Sequence, residues 1–160
     1  MFAPSLLESA KNILSTCRQN GLWITTAESC TGGLLAALLT ETAGASGMFE
    51  RGFVTYSNEA KMQLLGVEKP LLEKYGAVSS QVAQAMAEGA LEHSASDIAM
   101  AITGVAGPDG GSKAKPVGLV FIAVASKEKI QVSENLFSGN RRDIRLQAVA
   151  KALEMVAASL

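Results

Sequence analysis

Glu28-Ser29-Cys30-Thr31-Gly32-Gly33 places a hydroxyl and a thiol just ahead of two glycines, between a β-rich apolar run and a helical pattern. Glycines at such a turn let the backbone approach a ligand closely, and the free N–H groups of the following helix offer a seat for a phosphate or an oxyanion. Ser29, at the turn, is a candidate nucleophile. Taken alone, the segment reads equally well as a tight turn whose Thr31 caps the next helix. A nucleophilic serine needs a base, and the chain has a single histidine, His93, at the end of a helical run. Lysine or tyrosine is therefore the more natural partner. Tyr56, Asn58 and Lys61 supply a phenol, an amide and an amine at one strand-to-helix junction. A lysine takes a proton from serine once desolvation or nearby positive charge brings its pKa down from ~10.4, and Tyr56 would relay that proton or orient the amine. Most lysines at such junctions are solvated, so the pairing requires that the two loops meet. Cys30 is the rival nucleophile, since a thiol at a helix N-terminus can be acidified. Without a histidine to pair with, it ranks below Ser29.

Two further clusters could hold a ligand. Thr103-Gly104-Val105-Ala106-Gly107-Pro108-Asp109-Gly110-Gly111-Ser112 carries more glycine than one turn needs. It reads as a backbone surface that closes over a ligand, with Thr103 contributing a hydroxyl; its plainer reading is a connection built on an Asp109-Gly110 turn. Arg141, Arg142 and Arg145 crowd the first turns of a helix, where the macrodipole is already positive. Arg141 and Arg145 share a helix face and would grip a phosphate or carboxylate. Asn140 and Asp143 have the spacing of an N-cap and its partner and would offset part of that charge locally.

Positioning these groups falls to alternating helices and strands. Leu6, Leu7, Ala10, Ile13, Leu14 and Cys17 predict a helix from about Ser5 to Asn20, and Trp23 to Ala27 a strand. A helix carrying Leu34, Leu35, Leu38, Leu39 and Thr42 follows, then a strand over Gly52 to Tyr56. Val82, Ala83, Met86, Ala87, Ala90 and Leu91 mark a helix capped by Ser79 or Ser80. Strands are expected over Asp97 to Ile102, Val117 to Ala125 and Ile130 to Leu136, the last two as a hairpin, with a final helix from Asn140 to about Ala158. The pattern predicts a single-domain α/β protein, a three-layer α/β/α sandwich with a mixed β-sheet. Segments 28–33, 56–61 and 103–112 all fall at the carboxyl ends of strands, where such folds bind their ligands.

Composition narrows the function classes. At 160 residues and 48% hydrophobic the chain can bury one sizeable core. A formal charge of -1 offers no basic footprint for nucleic acid. No apolar run approaches the ~20 residues that span a bilayer, and a cytoplasmic setting is expected. Two cysteines suggest neither a disulfide framework nor a zinc site, and one histidine cannot build a His-rich metal site; no metal and no cofactor are expected. A Tyr–Lys pair is also found in short-chain dehydrogenases, but at a spacing of four residues against five here, and no dinucleotide fingerprint accompanies it. An exposed apolar surface on an Ala-rich helix would make a homo-oligomer unsurprising.

Four segments taken in order, Thr26-Ala27-Glu28-Ser29-Cys30-Thr31-Gly32-Gly33, Gly52-Phe53-Val54-Thr55-Tyr56-Ser57-Asn58 with Lys61, Gly76-Ala77-Val78-Ser79, and Thr103-Gly104-Val105-Ala106-Gly107-Pro108-Asp109-Gly110-Gly111, resemble the CinA C-terminal domain family from about residue 5 to residue 158. The resemblance implies a nicotinamide-nucleotide amidase that hydrolyses nicotinamide mononucleotide to nicotinic acid mononucleotide and ammonia, without metal, in pyridine nucleotide recycling. It also implies the stand-alone form, without the molybdopterin-binding-like domain of two-domain members. In that chemistry Ser29 would form an acyl-enzyme, Lys61 with Tyr56 would move protons, and N–H groups around Thr31, Gly32 and Gly33 would hold the oxyanion. Asn58, Thr103, Gly104, Ala106 and Gly107 would complete the substrate site, and Arg141 or Arg145 would meet the 5'-phosphate. The chain departs from the family at Gly139-Asn140-Arg141, where members usually carry Gly-Asp-Arg. The family's association with competence and DNA damage suggests a second reading, a nucleotide-binding regulatory module without catalysis.

Overall fold

A computed structural model describes residues 1–160. Helix α1 spans Pro4–Asn20, with Pro4 in the first turn, where a missing N–H costs nothing, and Gly21 ending it in the left-handed conformation. Strand β1, Ile24–Glu28, is buried along its whole length. A short helix α2, Leu34–Thr40, and a 3-10 turn, Ala45–Gly47, lead to β2, Phe49–Val54. Then come α3, Asn58–Leu65, α4, Lys69–Tyr75, and α5, Ser80–Glu92. Strands β3, Ile98–Gly104, β4, Leu119–Ser126, and β5, Ile130–Leu136, precede the final helix α6, Arg141–Ala157.

The five strands form one mixed sheet in the order β2-β1-β3-β4-β5, with β2, β1 and β3 parallel and β4 and β5 antiparallel. Side-chain alternation splits the core between its two faces. Ile98, Met100 and Ile102 of β3, with Val120, Ile122 and Val124 of β4, pack under α1, α2 and α6. Ala99 and Ala101, with Leu119, Phe121, Ala123 and Ala125, pack under α5 and its neighbours. This is the α/β/α sandwich that the alternation predicts. Each fully buried Leu, Ile or Met in these layers contributes roughly 1.5–3 kcal/mol. No helix is long and apolar enough to cross a membrane.

Two elements depart from expectation. β2 begins at Phe49 and ends at Val54, so Thr55 and Tyr56 lie beyond it. Glu50 and Arg51 are tolerated because β2 is an edge strand: they pair with each other, and Arg51 donates to the His93 carbonyl at 2.9 Å. Helix α4 has no counterpart in the periodicity reading, since its 7 residues are too few to show a period; Pro70 in its first turn and Gly76 at its end are the signals that mark it. Gly89 of α5 lies against α3 so closely that a Cβ there would stand 1.9 Å from the Leu65 carbonyl oxygen. That contact settles α3, and the Lys61 it carries, onto the layer beneath.

Candidate active site

Ser29 follows directly on β1, the second strand of the sheet, and the backbone on its amino side is clamped from both neighbours. Its N–H donates to the Ile102 carbonyl of β3 at 2.9 Å, and the Glu28 carbonyl accepts from Thr55 N–H at 2.8 Å. The two loops are thereby forced to meet. Ser57 Oγ accepts from Ala60 N–H at 3.0 Å and starts α3, whose first turn directs Lys61 back beneath the loop. Lys61 Nζ donates to Ser29 Oγ at 3.0 Å and to the Thr55 carbonyl at 2.8 Å.

Lys61 is 1% exposed and takes part in none of the ion pairs of the chain. Burial lowers its pKa below the ordinary 10.5, and proximity to Cys30 opposes this only in part. An amine held in this way is drawn toward its neutral form, which is the form able to accept the Ser29 proton. Cys30, beside it, has the opposite fate. Burial outweighs its own backbone hydrogen bond and the nearby positive charge of Arg145 and Lys61, and pushes the thiol up to about 11. It stays a thiol near neutrality, which argues against it as the nucleophile.

A cavity of about 300 Å³ opens over these groups. Its lining includes Ser29, Cys30, Tyr56, Asn58 and Lys61 from the first two loops, residues of the segment from Thr103 to Gly110, and Ala77, Val78 and Arg141. All three loops at the carboxyl ends of the parallel strands therefore converge. Arg141 spans the opening: Nη1 donates to the Gly107 carbonyl at 2.7 Å and Nη2 to the Tyr56 hydroxyl at 3.0 Å. Asn140 caps α6 in a reciprocal capping box with Asp143, so Arg141 is held in the first turn although the residue before it is an amide. The N–H groups of Ala106 and Gly107 donate to no carbonyl or side chain and remain free for a ligand. A groove of about 560 Å³ between α1 and α6 is larger, but Glu154 is its one charged side chain and it holds no nucleophile–base pair.

Several expected site residues are placed differently from their sequence reading. The Tyr56 hydroxyl, expected to serve Lys61, accepts from Arg141, and the Thr55 carbonyl orients the amine instead. Thr103 lines the cavity, yet its hydroxyl donates to the Ala77 carbonyl at 2.8 Å and ties the β3 loop to the segment before α5. Thr31, Gly32, Gly33 and Arg145 are not among the residues that line the cavity. Gly32 N–H donates to the Ser29 carbonyl at 3.0 Å, whereas the N–H groups of Cys30 and Thr31 make no hydrogen bond to another residue. Thr31 does not cap α2: its hydroxyl is buried without a partner. Glu28 takes that part, its carboxylate accepting from Leu35 N–H at 3.0 Å and Ala36 N–H at 2.9 Å while fully buried. The signal for Glu28 is its even-numbered place in β1, on the face covered by α2. His93 ends α5, with Nδ1 2.8 Å from the Gly89 carbonyl, and lies outside the cavity. No group of three or more His, Cys, Asp or Glu side chains is arranged to hold a metal ion.

Comparison with known proteins bears on this geometry. A sequence model of the CinA C-terminal domain matches residues 7–160. The chain is 49% identical over 150 residues to the nicotinamide-nucleotide amidohydrolase PncC of Enterobacter agglomerans, covering 93% of this chain and 92% of that protein. It is 47% identical to the protein of the same name from Escherichia coli K12, over 93% and 91%. Against longer relatives the chain spans only 35% of their length; one is a CinA-like protein of Syntrophomonas wolfei, 49% identical over 146 residues. Among solved structures, the competence/damage inducible protein CihA from Agrobacterium tumefaciens superposes with a TM-score of 0.97 at 47% identity, over 99% of this chain and 97% of that one.

Proposed function

Since the chain belongs to the CinA C-terminal domain family, we propose that its cavity is the active site of a serine amidohydrolase acting on the carboxamide of nicotinamide mononucleotide. The observation that carries the reading is the buried contact of Lys61 Nζ with Ser29 Oγ at 3.0 Å, in a chain whose only histidine lies elsewhere. Full-length relatives named nicotinamide-nucleotide amidohydrolase supply the substrate class.

Neutral Lys61, with one N–H on the Thr55 carbonyl, accepts the Ser29 proton as Oγ attacks the carboxamide carbon. The tetrahedral oxyanion is met by N–H groups of the 29–33 loop, of which that of Cys30, a cavity-lining residue next to the nucleophile, makes no hydrogen bond to another residue. Collapse breaks the C–N bond. Lys61 returns its proton to the departing nitrogen, which leaves as ammonia and a Ser29 ester remains. Water, deprotonated by Lys61, attacks that ester, and the acid and free Ser29 are released. Arg141 faces the cavity mouth and takes the 5'-phosphate, with Tyr56 and the Gly107 carbonyl holding its guanidinium in place. No step calls for a metal.

The test is ammonia release from nicotinamide mononucleotide by the wild type and by Ser29→Ala, with and without EDTA. The reading expects release by the wild type unaffected by EDTA and a loss of about 10³-fold or more in the variant. Turnover that survives Ser29→Ala, or that EDTA abolishes, overturns it. Nucleotide binding without ammonia from either protein favours the regulatory module instead.

A further inference from the structure

Arg145 enters as a candidate for the substrate's anion, yet the structure turns it inward. Its Nη2 donates to the Thr31 carbonyl at 2.7 Å, across 114 residues of chain. Peptide groups are planar, so the Thr31 carbonyl and the Gly32 N–H form one rigid unit and point in opposite directions. That Gly32 N–H donates to the Ser29 carbonyl at 3.0 Å. The Ser29 carbonyl in turn shares a peptide plane with the N–H of Cys30, which follows the nucleophile directly and makes no hydrogen bond to another residue. Two hydrogen bonds and two peptide planes thus connect the guanidinium to the amide that follows the nucleophile.

The local arrangement is a poor one for stability. Arg145 Nε and the Thr31 hydroxyl are both buried without a hydrogen-bond partner, and such groups lower the stability of a fold. An unbranched apolar side chain at this position would fill the same space without leaving a buried donor unmet. What only a donor at residue 145 supplies is a fixed direction for the Thr31 carbonyl. Gly32 and Gly33, at φ of 59° and 95°, give the loop the freedom to rotate that makes such a restraint necessary.

We propose that Arg145 is a positioning residue: by holding the Thr31 carbonyl it aligns the Cys30 N–H on the oxyanion, and it does not bind the substrate's phosphate. The proposal rests on the amidase reading and deepens it. Its test compares Arg145→Met and Arg145→Lys with the wild type in steady-state kinetics, and measures amide hydrogen exchange at Gly32 by NMR. Arg145→Met is expected to lower kcat by ~10- to 100-fold with KM held within about twofold, because the donor is tilted and not removed. Gly32 exchange should quicken in that variant, while Arg145→Lys, which keeps one donor, recovers part of both. A rise in KM at unchanged kcat would return Arg145 to phosphate binding and overturn the proposal. So would an unchanged kcat, or Gly32 exchange equal to that of the wild type. If the wild type releases no ammonia, the amidase reading fails by itself, and the Gly32 exchange rates still decide whether Arg145 aligns the loop.

Discussion

Replacing Lys61 by methionine keeps the length of the side chain and removes the amine, which isolates the energetic consequence of burying it. In the folded protein burial holds the Lys61 pKa below 10.5, the value to which it returns on unfolding. Between the lowered value and 10.5 the unfolded chain binds one proton more than the folded one, so stability rises with pH through that window. The slope for one proton is at most about 1.4 kcal/mol per pH unit. Below the window the folded state carries a buried ammonium and the full penalty is present; above 10.5 the penalty has gone. Lys61→Met lacks this dependence. Cys17 and Cys30 act with the opposite sign, because burial raises both from 9.0 to about 11 and the unfolded chain ionises first. They are common to both proteins and matter little below pH 9. Urea unfolding of the two proteins from about pH 6 up to 10.5 should therefore show the wild type gaining on the variant as pH rises. A difference that stays flat across that range would refute the reasoning, since Lys61 would then titrate alike in both states. Under the proposed mechanism the same titration governs turnover: kcat/KM of the wild type should rise with pH through the lowered Lys61 pKa, because the neutral amine would be the base.

Other expectations follow from single contacts. Glu28→Ala leaves two amides at the start of α2 without their acceptor; a loss of roughly 2–5 kcal/mol is expected in chemical denaturation, and Glu28→Gln should lose less. Gly89→Ala drives a Cβ onto the Leu65 carbonyl, so a destabilisation of about 2 kcal/mol or more is expected, with a fall in kcat as α3 carries Lys61 away from Ser29. Arg141→Ala should raise KM for nicotinamide mononucleotide by ~10- to 100-fold, as loss of a charge-assisted contact predicts, and leave KM for the dephosphorylated nucleoside little changed. Equal effects on both substrates would remove Arg141 from the phosphate site.

The placement of the site follows from strand neighbours. β1 and β2 run parallel with Glu28 opposite Val54, which brings Ser29 level with Thr55 and lets one residue's carbonyl hold the amine that faces the other's hydroxyl. β3, on the other side of β1, supplies the Ile102 carbonyl that pins Ser29 N–H and carries the glycine-rich loop to the same edge. The antiparallel hairpin then returns the chain to that edge, where Leu136 pairs with Leu119 and α6 begins with Arg141. Four distant segments thus meet because one sheet aligns their ends.

Much of this was readable from residue types and periodicity, since both are properties of the chain itself. The even and odd positions of β3 and β4 separate into two core faces, and that alternation alone predicts helices on both sides of the sheet. Glycine-rich turns after strands mark the edge where a ligand would sit, and a single histidine at the end of a helical run points to lysine or tyrosine as the partner of Ser29. Helix α4 and the bounds of β2 escaped because seven residues show no period, and because an edge strand admits the charged pair Glu50 and Arg51 that a central strand would exclude. The partner of each polar side chain was not readable either. Tyr56 could face Lys61 or Arg141, Thr31 or Glu28 could cap α2, and Arg145 could meet a phosphate or a carbonyl; in each case the chain satisfied the second. Covalent spacing determines which groups are available and at which end of the sheet they emerge, whereas a hydrogen bond exists only within about 3 Å, and distances that short between residues as far apart as Thr31 and Arg145 are decided by how the layers pack.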